Sequence, residues 1–140
     1  MTKSRLIPFA LGIFLALTAG TALAEPLIKI DLNKLEPREN ACRAYFVVQN
    51  GTESNFAEFT LDLFLFGADG VVTKRIVVDS APLDAAKTRV RPVDFREVGC
   101  DNVSMILMND IIKCKDGSGE RQDCVSLVEL SNRTAAKFIK

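Results

Sequence analysis

Four cysteines, Cys42, Cys100, Cys114 and Cys124, are the residues of this 140-residue chain whose type and spacing could carry chemistry. Thiolates bind zinc, exchange with disulfides or act as nucleophiles, and each role needs a partner group. The separations are 58, 14 and 10 positions, so there is no C-x-x-C, and the chain has no His to complete a zinc site. An even count outside the cytoplasm implies two structural disulfides, with three connectivities open to four cysteines. The favoured pairing is Cys42–Cys100 with Cys114–Cys124. The first would join two core strands. The second would close the polar loop Lys115 to Asp123, where Gly117 and Gly119 let the backbone turn. Chain entropy puts their contributions at about 4 and about 3 kcal/mol before strain.

Other chemistry is thinly supplied. Without His there is no imidazole triad or acid–base relay, and Ser80, Ser104, Ser118, Ser126 and Ser131 lack a general base of that kind. Met105 and Met108 are soft enough for Cu(I), but three positions apart on a strand they point to opposite faces, so core packing is expected and no metal or cofactor is assigned. Asp116-Gly117-Ser118-Gly119-Glu120 lacks the alternating acids of a calcium loop and reads as a solvated hairpin. Asn50-Gly51-Thr52 and Asn132-Arg133-Thr134 match the glycosylation acceptor pattern but read more simply as turns. Lys87, Arg89 and Arg91 alternate and so share one face of a strand. With Arg43 they are the candidate binding residues, either a docking stripe or an anion site. The blander alternative is charge placed on an edge strand to block edge-to-edge pairing.

The elements that must position these residues are short strands. Ile28, Ile30 and Leu32 share one side, with Lys29 and Asp31 on the other. Glu36 to Asn40 reads as a polar turn. Cys42, Ala44, Phe46 and Val48 alternate next, and Asn50-Gly51 is a strong turn signal. Phe59, Leu61, Leu63 and Leu65 then alternate with Glu58, Thr60, Asp62 and Phe64, leaving Phe64 and Phe66 on the outward side. Val71 to Val78, Lys87 to Phe95, Val103 to Met108 and Cys124 to Leu130 complete the set, with Lys137 to Lys140 a possible last strand. Pro92 lacks a donor and marks its strand as an edge or a bulge. Seven to eight strands with no 3.6-residue period predict an all-β antiparallel sandwich, immunoglobulin-like in the broad sense. The absence of Trp, and of a Tyr two residues before a second Cys, excludes an antibody-type domain.

Lys3 and Arg5, an apolar run from Leu6 to Leu17, and Ala22-Leu23-Ala24 form a secretory signal, so residues 1–24 are expected to be removed and 25–140 to be a single domain. The apolar run is too short to span a bilayer, and no stable membrane anchor is expected. Losing those two basic residues leaves 16 basic against 18 acidic, which offers no electrostatic footprint for nucleic acid. Lys3 and Arg5 are not adjacent, so the Sec route is expected over a twin-arginine one.

Cys42-Arg43, Asn50-Gly51, Leu63 to Phe66 before Asp69-Gly70, Arg89-Val90-Arg91-Pro92-Val93-Asp94-Phe95, Cys100, Asn109-Asp110, Cys114, Cys124 and Ser131-Asn132-Arg133-Thr134 carry a resemblance. In these the chain resembles a family of small exported bacterial proteins of unknown function, labelled Tat pathway signal sequence domain proteins. The resemblance implies export and carries no activity with it. The expectation is a non-catalytic periplasmic accessory that binds another envelope protein. The alternative is a small-ligand or anion binder using Arg89 and Arg91.

Overall fold

A computed structural model describes residues 27–140, and the signal segment expected over residues 1–24 lies outside the described residues. Nine strands follow in chain order: β1 (Ile28–Arg38), β2 (Ala41–Asn50), β3 (Phe56–Phe66), β4 (Val72–Asp79), β5 (Thr88–Arg96), β6 (Met105–Asp116), β7 (Gly119–Glu120), β8 (Val128–Asn132) and β9 (Lys137–Ile139). One sheet has the order β5-β2-β1-β8. The other runs β4-β3-β6-β7, with β9 also paired to β6. Joining β2 to β5 in one layer and β3 to β6 in the other gives the immunoglobulin-like sandwich in its broad sense. Alternation selects the core. Ile28, Ile30 and Leu32 of β1, Ala44, Phe46 and Val48 of β2, Leu61, Leu63 and Leu65 of β3, Phe95 of β5 and Ile106 and Met108 of β6 are buried between the layers. Each large apolar side chain there stabilises the fold by about 1.5–3 kcal/mol.

The structure departs from the sequence reading in direction and extent. The β1–β8 and β6–β9 pairings are parallel, so both sheets are mixed. Period-two patterning reports which side is buried and is blind to strand direction. β1 runs on to Arg38 because Asn33 is bulged. Ahead of it Ile28, Ile30 and Leu32 point inward, and after it the inward phase passes to Leu35 and Pro37, opposite Ala44 and Cys42. The turn expected over Glu36 to Asn40 shrinks to Glu39-Asn40, with Asn40 in the left-handed region at φ 56°. The strand expected over Val103 to Met108 begins at Met105 and reaches Asp116 through bulges at Asn109 and Ile112. Cys124 to Leu127 is a turn, closed by Leu127 N–H donating to the Cys124 carbonyl at 3.2 Å, and β8 begins only at Val128.

Both disulfides form in the expected pairing, Cys42–Cys100 and Cys114–Cys124. Their positions correct one detail, because Cys100 lies in a 3-10 turn, Cys100–Asn102, rather than in a strand. Each bridge secures a segment that crosses between layers. Cys100 sits where the chain leaves β5 for β6 and is tied back to β2. Cys124 sits where the chain leaves β7 for β8 and is tied back to β6.

Asn50-Gly51 is likewise a corner between layers rather than a two-residue hairpin. Gly51 N–H donates to the Leu27 carbonyl, and a Cβ on Gly51 would lie 2.7 Å from that oxygen. Asn50 and Asn132 solve their corners alike. Each Oδ1 accepts from the N–H and hydroxyl of the Thr two residues on, while each Nδ2 donates to nearby carbonyls. Their amides are engaged in holding turns.

Candidate functional site

The four candidate basic residues do not converge. Register with β2 puts Arg89 opposite Val48 and Arg91 opposite Phe46, so both point to the inner side of edge strand β5. Arg89 Nη2 bonds Asp84 Oδ2 at 2.5 Å. Arg91 spans the gap between layers and donates to the carbonyls of Ser80, Ala81 and Pro82 at 3.0, 3.1 and 3.3 Å. Arg43 lies on the opposite, outward side of β2, where its Nε and Nη2 hold both carboxylate oxygens of Asp94 at 2.6 and 2.8 Å. That pairing holds the Asp94 carboxyl below the ordinary carboxylate range. Lys87 precedes β5 and is exposed. Three guanidinium groups are therefore used within the fold. Arg91 in particular clamps the β4–β5 connection, which contains the cis Ala81-Pro82 bond.

The outward side of the second sheet is different. Cross-strand register lines up Arg75, Phe64, Leu107 and Ile139 from β4, β3, β6 and β9 in one row. The next row carries Phe66, Met105 and Lys137, and the row on the other side carries Val77, Asp62 and Asp110. Phe64, Phe66, Met105 and Leu107 are half-buried, while Val77 and Ile139 are 53% and 43% exposed. Large apolar side chains thus occupy a face that an antiparallel sandwich ordinarily gives to polar ones. Alternation along β3 places Phe64, Phe66 and Asp62 outward, whereas Leu107, Ile139, Arg75 and Asn109 come alongside only through cross-strand register.

At the middle of this face is a carboxylate out of water. Asp62 is 4% exposed, and an unpartnered charge there would be strongly unfavourable. Arg75 Nε donates to its Oδ1 at 2.6 Å, and Asn109 Nδ2 to its Oδ2 at 3.2 Å. The bond from Arg75 holds the Asp62 carboxyl below its ordinary range, against burial, with Asn109 assisting. In return Asp62 raises the Arg75 guanidinium. That group sits 5.9 Å from the Phe64 ring centroid with its side chain 54% exposed. Among the described residues its hydrogen bonding is confined to Nε, which leaves both terminal nitrogens without a hydrogen-bond partner.

A groove of about 700 Å³ opens at the end of the sandwich near Cys100, between the β3–β4 turn and the β5–β6 crossover. Asp69, Lys74, Glu97 and Asp101 line it, and Glu97 holds a left-handed φ of 61°. None of the candidate basic residues reaches it. Among the described residues no group of three or more acidic or Cys side chains gathers in metal-ligating geometry, and no helix is long and apolar enough to cross a membrane.

No family model matches this sequence, and no curated protein matches it. Among solved structures the chain is similar to IrmA from Escherichia coli. The two are 18% identical, the match covers 79% of this chain and 95% of that one, and the TM-score is 0.59. At that identity the likeness is one of fold.

Proposed function

We propose that this chain is a non-catalytic accessory protein of the bacterial envelope, exported through a cleaved signal and acting in the periplasm by binding another envelope protein. The observation that carries the reading is the row Phe64, Leu107 and Ile139 beside the oriented guanidinium of Arg75. Aromatic residues and Arg are enriched at the centres of protein interfaces, and a guanidinium fixed in advance loses little freedom on meeting a carboxylate. Disulfides that tie down both layer crossings suit an oxidising compartment. The motif resemblance to small exported bacterial proteins is in keeping with that setting. The competing anion site on Arg89 and Arg91 has less support, since an anion would have to displace Asp84 and three backbone carbonyls.

Cross-linking in envelope preparations, followed by isolation of this protein, tests the proposal. The native chain should recover one reproducible partner. The double variant Phe64→Ser, Leu107→Ser should lose that partner while keeping its strand-type circular dichroism. Recovery of no partner in repeated experiments, or equal recovery by the folded variant, would remove the reading.

A further inference from the structure

β4 forms one border of the second sheet, and its free side is unlike the other borders. Ser80 N–H donates to the Phe59 carbonyl at 2.8 Å, which sets the parity along the strand. The backbone groups of Ser80, Val78 and Ile76 turn toward β3, and those of Asp79, Val77 and Arg75 turn away. Among the described residues these outward N–H and C=O groups have no backbone partner.

The remaining borders are blunted. On β5 the bond from Asn50 N–H to the Lys87 carbonyl sets a parity that turns Pro92 outward, where its missing donor interrupts the edge. Lys74 Nζ caps the outward Arg96 carbonyl at 2.5 Å. At β8, Lys140 Nζ takes the Val128 carbonyl. On the free stretch of β6, Asp110 Oδ1 accepts the Ile111 N–H at 2.7 Å between two bulges. Charged side chains commonly guard an edge of this kind. On β4 they are drawn off it, Lys74 onto the Arg96 carbonyl and Arg75 back onto Asp62.

The segment Arg75-Ile76-Val77-Val78-Asp79 is self-complementary when read in opposite directions, with opposite charges at its ends and apolar residues between. We propose that β4 pairs antiparallel with β4 of a second copy about a twofold axis through Val77. In that register Val77 faces its own counterpart, and each Arg75 faces the Asp79 of the other copy. Every outward N–H and C=O of the three residues then gains a partner. Arg75 contributes its free terminal nitrogens. Asp79 contributes Oδ2, because its Oδ1 already accepts the Ala81 N–H. An axis through Arg75 or through Asp79 would set like charges face to face. Pairing through Val77 makes one continuous sheet of the two second layers and joins the two Val77–Asp62 rows end to end. The inference shares Arg75 with the partner-binding proposal and otherwise rests on the β4 edge, which that proposal does not use. A single edge pairing is a small interface, so the dimer is weak.

Sedimentation of the purified, disulfide-closed protein tests it. The chain should pass from monomer to dimer between about 1 µM and about 1 mM. Asp79→Lys and Arg75→Glu each oppose like charges, and each should weaken the dimer at least about tenfold. An equimolar mixture of the two should recover it, because one Glu–Lys and one Arg–Asp pair then form. Val77→Pro deletes an outward donor without removing a hydrogen bond to β3, and should also weaken it. If Arg75→Glu fails to fold beside Asp62, Asp79→Lys and Val77→Pro decide the matter alone. Monomer at every concentration overturns the proposal, as does a dimer indifferent to Asp79→Lys and Val77→Pro, or a mixture of folded variants that stays monomeric.

Discussion

Asp62 shows how a single side chain can be readable in type and unreadable in role. Alternation along Phe59 to Phe66 places it outward, where a carboxylate is unremarkable. Its burial comes from Arg75, thirteen positions away, and Asn109, forty-seven positions away, which close over it from the two neighbouring strands. A folded-state pKa below the unfolded value of about 3.9 means the stabilisation is present at pH above about 4 and lost as pH falls through the folded value. Asp62→Asn should therefore lower the melting temperature at pH 7, and the gap from the native chain should narrow in acid. Thermal denaturation at neutral pH and at a series of acid values reads this directly. A gap that stays constant down to pH 2 would show that the Asp62 charge is not what the variant removes. Asp31 and Asp116 are also held low by hydrogen bonds that outweigh burial, so the native chain should lose further stability in the same acid range.

At the scale of elements, apolar alternation located nearly every strand, and its failures have identifiable causes. The bulge at Asn33 shifts the inward phase by one residue, so a strict period-two reading ends β1 early. Pro92 marks its strand as an edge or a bulge, because a missing donor is a property of the residue itself, and β5 is an edge strand. Arg89 and Arg91 share one face, yet which face depends on β2, and β2 turns it inward, while Lys87 lies ahead of the strand and is exposed. The consequence is mechanical. Arg91 holds the β4–β5 connection through three carbonyls, and charge-assisted bonds of this kind make its loss cost about 2 kcal/mol. Arg91→Ala should speed amide exchange across residues 80–86 while leaving the β1–β2 ladder protected. Arg91→Lys should rescue little of it, having no planar fork to reach several oxygens at once. Exchange unchanged over residues 80–86 would mean that the clamp contributes nothing.

For the whole molecule, stability is shared between one core and two covalent ties across the layer crossings. Replacing Cys42 and Cys100 together by Ala should cost about 4 kcal/mol, and replacing Cys114 and Cys124 about 3 kcal/mol. Urea unfolding monitored by circular dichroism would measure both. The unreduced native protein should show no reactive thiol, and a titratable sulfhydryl would contradict the bridges directly. The compositional reading and the all-β sandwich were available from the chain alone, because alternation, turn residues and an even cysteine count are local or countable properties. The direction of β8 and β9, the inward turn of Arg89 and Arg91, the assembly of Arg75, Asp62 and Asn109, and the bare edge of β4 were not. Each depends on which strands become neighbours and in what register. Those choices are made by burying the two inner faces against each other, a condition on the whole chain that no stretch of it states.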